Sequence, residues 1–317
     1  MTTRECFDRI VAGAGLRGLA AALAHRQAHP AASQLVVDAA TWPGGSLRTQ
    51  RTNGYVCELG AFAFAAAELA PFQTLIPRLP APLPSLPSAA CGAVFDGERC
   101  QPVEVPEAPL TFRTGNEELP QACRRELGPA LRLGRAITAI DSDGELLRLE
   151  LGGEVPAHVF ARELVVALPV ATAGALLGRF DPALADAAAR VRREPRAFAF
   201  FGGDTARAPE LAGYGVLPAD GLATPMAEAI FCSQVFANRA LPGRFLVRCE
   251  VAVPDGASDD DVLALAAAEL RRWTGTQAPF GLQKLHRFEV EVADGALVET
   301  RQRLAALPAR VPGLHCA

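Results

Sequence analysis

Apolar residues first gather in a short unbroken run, Ile10-Val11-Ala12, and then spread through an Ala/Leu-rich stretch from Leu16 to Ala24. The run predicts a strand buried on both faces, and the spread pattern predicts a helix packed against it. Between them stand Gly13, Gly15 and Gly18 in G-x-G-x-x-G spacing. Gly13 permits a tight turn, Gly15 lets a phosphate reach the backbone, and Gly18 lets helix and strand pack closely. At Leu16 and Arg17 the helix start offers N–H groups and a positive dipole end to a pyrophosphate. A second run, Leu35-Val36-Val37, ends in Asp38, twenty residues past Gly18. An acid there can accept a hydrogen bond from a ribose hydroxyl. The pattern predicts a βαβ dinucleotide site, against the plainer reading of a structural glycine turn.

Further on, the pattern alternates between short strands and helices. Residues 54–64 read as an extended segment entering a glycine turn. Residues 71–110 are Pro-rich without a sustained period, apart from a hairpin tip at 93–99. A helix ending near Leu127 precedes a strand over 131–140, a hairpin from 146–151 and a strand ending at Pro169. Residues 170–194 read as helical and 197–201 as a strand, and two antiparallel strands are expected within 213–251. Ser258 through Gly275 carries a complete helix signature: a capping Ser, three acids, two late arginines and a closing glycine. A last helix is expected over 301–307.

Composition narrows the function without naming it. Half of the 317 residues are apolar and the formal net charge is −4, which leaves no basic footprint for nucleic acid. No apolar run approaches the ~18 residues of a membrane span, and the start runs directly into the first strand, so a cytoplasmic chain is expected. The eight cysteines contain no C-x-x-C and read as buried thiols rather than a disulfide frame or zinc site. His25 and His29, four apart, read as cations at a helix C-terminus in preference to metal ligands. No metal is expected.

Past Asp38 comes Pro43-Gly44-Gly45-Ser46-Leu47-Arg48-Thr49. The glycine pair lets backbone pass close to a bound cofactor, and the Arg48 guanidinium can bond phosphate oxygens bidentately. Then follows Gly54-Tyr55-Val56-Cys57-Glu58-Leu59-Gly60-Ala61-Phe62-Ala63-Phe64. The order G-x-G-x-x-G, Asp38, G-G-x-x-R-T, G-Y-x-x-E-L-G-x-x-x-F resembles the amine-oxidase superfamily of FAD enzymes. That superfamily includes protoporphyrinogen oxidase, monoamine oxidase, phytoene desaturase and renalase.

The resemblance implies FAD rather than NAD, and an α/β fold: a Rossmann-like, glutathione-reductase-type FAD-binding domain with a reduced α+β substrate domain. It places Gly60, Ala61 and Phe62 at the cofactor, the Ile137 backbone beside the adenine, and Ala167 at the "V-V-x-A-x-P" strand end that returns to the FAD domain. The implied divisions are 1–64, 111–170 and 285–317 for the FAD domain, with 65–110 and 171–284 for the substrate domain. Within 213–248, Ser233, Phe236, Arg239, Ala240 and Arg248 fit "S-x-x-F-x-x-R-A … L-x-R", similar to the protoporphyrinogen-oxidase branch. Such an enzyme passes hydrogen from a tetrapyrrole in haem biosynthesis to flavin, with oxygen as acceptor. No catalytic side chain is assigned.

Two departures qualify what the resemblance implies. The family's Gly-Asp or Gly-Asn turn and final helix, expected after "P-G-L-x-x-A", are absent from this sequence, which removes hydrogen bonds to FAD. The long helical insertion of the substrate domain is reduced to Pro-rich 65–110, opening the substrate site. A renalase-like or amine-oxidase-like enzyme for a smaller substrate such as an amine is therefore a second reading, and a non-catalytic FAD-domain remnant a third. An oligomer is compatible with all three.

Overall fold

The computed structural model describes residues 5–79, 81–105, 108–142, 144–153 and 157–316. Strand β1 (Glu5–Ala12) turns at Gly13 into helix α1 (Leu16–Ala28), which returns the chain to β2 (Gln34–Asp38), parallel to β1. On the other side of β1 lies Ala157–Val166, also parallel, and Leu131–Leu133 continues the sheet beyond β2. Ala157–Val166 is long enough to take two neighbours on one edge. Its first half pairs antiparallel with Leu147–Leu151, and its last three residues pair parallel with Leu314–Cys316. The βαβ pattern is therefore realised as a parallel, Rossmann-like sheet with an antiparallel extension, and the chain is α/β as expected.

The second sheet has seven strands. Its order runs Leu282–Glu291, Arg193–Asp204, Arg244–Ala252, Met226–Ile230, Gly215–Pro218, Cys91–Phe95, Cys100–Glu104. Alternation along Arg244–Ala252 explains its placement. Phe245, Val247, Cys249 and Val251 point to the helix Asp259–Thr274, packing with Leu270 and Trp273. Leu246 points the other way, with Phe198, Phe200 and Ile230, onto Tyr55, Cys57, Leu59 and Phe62 from the first half of the chain. This second face positions the site.

Helix Asp259–Thr274 forms as its caps dictate. The Ser258 hydroxyl accepts from Asp261 N at 3.2 Å, the Asp261 carboxylate accepts from Ser258 N at 3.0 Å, and Gly275 closes the helix at φ 76°. Ser258→Ala is expected to cost about 1 kcal/mol, read as a lowered midpoint in urea unfolding. The 93–99 tip is a hairpin in the second sheet.

Several expectations change. The predicted 131–140 strand is two strands, Leu131–Leu133 and Ile137–Ser142, because Gly134 turns the chain at φ +68°. The last helix begins earlier, at Gly295, because Asp294 caps it through Ala296 N and Leu297 N. Helices Val170–Leu177 and Pro182–Ala189 bury Ala173, Leu177 and Leu184 in the core of the first sheet, beyond the expected division at 170. Leu282–Glu291 crosses the expected division at 284 as one continuous strand of the second sheet. Of the cysteines, Cys57, Cys123, Cys232 and Cys249 are buried, whereas Cys6, Cys91 and Cys316 are exposed. His25 lies in the last turn of α1 as expected but is buried, and burial first, then the charges of Arg9 and His29, pushes its pKa down, which disfavours the cation there.

Candidate active site at the junction of the two sheets

Three parallel strand ends, Ala12, Val37 and Val166, lie side by side at the Gly13 turn. Gly13 N donates to Val37 O and Ala167 N donates to Ala12 O, both at 2.8 Å. The two outer glycines are demanded by contact. A Cβ at Gly13, whose φ is +103°, would stand 2.5 Å from Ala167 O, and one at Gly18 would stand 1.9 Å from Gly13 O. Gly15 differs: a Cβ there would meet nothing within 4 Å. Gly15 is the N-cap of the 13-residue helix α1, and no side chain caps it. A helix start with no side-chain cap, facing open space, suits the pyrophosphate of a dinucleotide.

The other predicted cofactor residues gather around this turn. Gly44 N donates to Ala14 O at 2.7 Å, and the Cβ position of Gly45 lies 3.5 Å from the Gly15 Cα, so the two glycine loops form one wall. The Asp38 carboxylate accepts from Ala14 N at 2.6 Å and from Ala40 N at 2.8 Å. It therefore braces the turn from below, and with about four lone-pair sites it keeps capacity for a ribose hydroxyl. Arg135 N donates to Asp38 O at 2.7 Å, bringing Ile137, two residues on, to this end of the sheet. Arg48 is exposed, and its guanidinium lies 4.3 Å from the Trp42 ring centroid. Its charge also helps to lower the pKa of His286 on the second sheet, after burial as the larger cause.

The Gly60-Ala61-Phe62 segment is held by all three of its carbonyls. Arg248 Nη1 donates to Gly60 O at 2.7 Å, and Asn116 Nδ2 donates to Ala61 O and Phe62 O at 2.9 Å each. The position of a Cβ on Gly60 would be 2.2 Å from Ser46 O, so the segment also lies directly on the Gly44–Gly45 loop. Beneath it is a buried ion pair, Arg239 to Glu58 at 2.9 Å, with side chains 0% and 1% exposed. Glu58 further accepts from Thr49 Oγ1 at 2.7 Å and Asn116 N at 3.1 Å, while Arg239 also donates to Thr111 Oγ1. Burial pushes the Glu58 carboxyl up, and Arg239, Thr49 and Asn116 pull it back.

Asn116, Arg239 and Arg248 had no role in the sequence reading. The signal was present for the two arginines, whose spacing was noted, but only their opposite numbers Glu58 and Gly60 reveal the contacts. Beside Phe62 opens a cleft of about 360 Å³ with Phe64, Tyr214, Ile230, Glu228 and Arg248 among its walls. Among the described residues, no group of three or more His, Cys, Asp or Glu side chains could hold a metal, and no helix is long and apolar enough to cross a membrane.

Residues 11–76 match the NAD(P)-binding Rossmann-like domain, and residues 95–317 match the flavin containing amine oxidoreductase family. Among solved structures, the provisional protoporphyrinogen oxidase of Exiguobacterium sp. 255-15 aligns with a TM-score of 0.76 at 15% identity, covering 100% of this chain and 94% of that one. Putrescine oxidase bound to putrescine aligns with a TM-score of 0.73 at 12% identity, over 99% of this chain and 94% of that one. Reduced UDP-galactopyranose mutase gives 0.74 at 11% identity, over 99% of this chain and 88% of that one. The likenesses show a shared fold, and the family match covers more than half of the chain. The protein belongs to the flavin containing amine oxidoreductases, and is an FAD-dependent oxidoreductase.

Proposed function

We propose that this chain is an oxidase of the protoporphyrinogen type, taking hydrogen from a reduced tetrapyrrole in haem biosynthesis, with oxygen as the final acceptor. The observation that carries the reading is the docking of the 233–248 block. Its Arg239 and Arg248 are spent on Glu58 and on the Gly60 carbonyl, so the motif particular to this branch builds the site wall.

In this reading the Gly13, Gly15, Leu16, Arg17 and Gly18 turn receives the pyrophosphate, Asp38 the ribose and the Ile137 backbone the adenine. Gly44, Gly45 and Arg48 close over the phosphates, and Gly60, Ala61, Phe62 and Ala167 border the rest of the cofactor. FAD, when bound, supplies a two-electron acceptor. The chain's own residues hold the substrate against it and keep water away. Phe62, Phe64 and Ile230 give the cleft an apolar wall, while Asn116 and Arg248 fix the wall's backbone so that it does not move as substrate enters.

One observation favours a smaller substrate, such as an amine. The cleft of about 360 Å³ is at the low end of the ~300–1,000 Å³ typical of small-molecule sites. Anaerobic mixing of the FAD-loaded protein with protoporphyrinogen IX or with benzylamine separates the two. Bleaching of the flavin by protoporphyrinogen, with porphyrin fluorescence appearing, is the expected result. Bleaching by benzylamine alone would replace the first reading with the second. A protein that stays colourless after FAD is added would overturn both.

A further inference from the structure

The strands Met226–Ile230 and Arg244–Ala252 pair antiparallel, and in their register Glu228 stands directly opposite Glu250. Side chains opposite one another in such a pair point to the same face, with Cβ atoms about 4.5–5.5 Å apart. Two carboxylates so placed repel each other. The face they share, which also carries Ile230 and Leu246, is turned toward the FAD half of the molecule.

A second observation comes from the arginine beside them. Arg248 lies two residues before Glu250, on the same face, and is only 4% exposed. Its Nη2 donates to Glu228 Oε1 at 2.7 Å and its Nη1 to Gly60 O at 2.7 Å. Its guanidinium carbon lies 4.3 Å from the Phe198 centroid and 5.4 Å from that of Phe62. Its Nε is buried with no partner. The guanidinium is thus locked in place with one donor left over, and both Arg248 and Glu228 line the 360 Å³ cleft. Glu228, whose side chain is 23% exposed, is the member of the pair that lines the cleft.

We infer that Glu228, in the wall of the cleft, and Glu250, opposite it in the sheet, hold one proton between them, and that Glu228 is the acid–base group of the dehydrogenation. The inference rests on the chain being an FAD-dependent dehydrogenating enzyme, and it is independent of which substrate is used. Loss of two hydrogens from a C–H/N–H or C–H/C–H pair releases a hydride equivalent and a proton. The C–H electron pair leaves with hydrogen toward FAD, the oxidant. The second X–H bond breaks, its electrons form the new double bond, and its proton passes to the free Glu228 oxygen. Glu250 then takes up the proton or the negative charge according to the state of its neighbour.

The surroundings agree. Burial pushes the Glu250 carboxyl up and the Glu228 charge adds to this, while Arg196, from the Arg193–Asp204 strand, and Arg248 pull it back. The Tyr214 phenol, also raised by burial and by Glu228, and the buried thiols Cys232 and Cys249 are further ionisable groups that sense Glu228.

The test uses the FAD-loaded protein and two variants, Glu228→Gln and Glu250→Gln. Infrared spectra taken as pH is raised should show a carboxylic-acid C=O band that persists above the usual carboxylate range and then disappears in wild type, because burial holds the Glu250 carboxyl up. Glu250→Gln removes that band. Glu228→Gln shifts its titration to lower pH, because the repelling charge is gone. Stopped-flow bleaching by protoporphyrinogen IX or benzylamine should then slow about 100-fold or more in Glu228→Gln, with FAD content unchanged, and recover in part in Glu228→Asp. A wild-type spectrum without the Glu250 band overturns the inference, and so does Glu228→Gln bleaching at the wild-type rate. If neither compound bleaches the flavin, the substrate reading above falls by itself, and the infrared titration still decides the shared proton.

Discussion

Glu58→Ala is expected to destabilise the protein by about 3–5 kcal/mol and to release FAD, because it leaves the Arg239 guanidinium charged and unpaired in the core. Arg239 is 0% exposed and already carries two nitrogens, Nε and Nη1, without partners. The carboxylate is what compensates its burial. Removing it also frees Thr49 Oγ1 and Asn116 N, and Asn116 holds the Ala61 and Phe62 carbonyls. The loss therefore spreads from one ion pair to the wall of the cofactor site. Thermal unfolding and FAD absorbance after gel filtration measure the two effects together. The control is the double variant Glu58→Gln, Arg239→Met, which removes both charges and keeps volume, with the introduced amide oxygen still able to accept from Thr49 Oγ1 or Asn116 N. Replacing a buried pair by neutral groups of similar size is often tolerated, so the double variant should regain most of the stability lost in Glu58→Ala. If Glu58→Ala unfolds at the wild-type midpoint with its FAD retained, the ion pair does not hold the two halves together.

The parallel core of the fold was legible because buried strands and glycine turns write themselves locally. Ile10-Val11-Ala12 and Leu35-Val36-Val37 are apolar on both faces, and the close contact of Gly18 with Gly13 leaves no room for another residue. Helix Asp259–Thr274 was legible for the same reason, since each of its end signals lies within a few residues of the bond it makes. What could not be read were contacts between distant segments. Asn116 lies 55 residues from Ala61, and Arg248 lies 188 residues from Gly60, so no window contains both partners. The Glu228–Glu250 pair depends on strand register, which a one-residue slip would abolish. The strand that spans the expected division at 284 was hidden for a related reason: Leu282–Glu291 alternates weakly, and only its pairing with Arg193–Asp204 assigns it to the second sheet.

The glycine turn admits a sharper trial, because Gly18 and Gly15 should fail in different ways. Gly18→Ala puts a Cβ 1.9 Å from Gly13 O and 3.3 Å from the Ala167 Cβ, so helix α1 must move away from the strand ends. Both stability and FAD affinity should fall, and the fall in stability should be seen in the apoprotein too. Gly15→Ala meets no protein atom within 4 Å, and at φ −67° the backbone suits alanine. Its apoprotein should unfold at the wild-type midpoint or slightly above, since alanine restricts the unfolded chain. Its methyl group, however, occupies the space in which a pyrophosphate would approach the helix start. Losing one or two charge-assisted hydrogen bonds at ~1.5–3 kcal/mol each weakens FAD binding by roughly tenfold to more than ten-thousandfold. Fluorescence titration of the two apoproteins with FAD, alongside their unfolding midpoints, gives all four values. Equal FAD affinity in Gly15→Ala and wild type would show that the open space at Gly15 is not where the pyrophosphate lies. A fall in affinity without a fall in stability would locate it there.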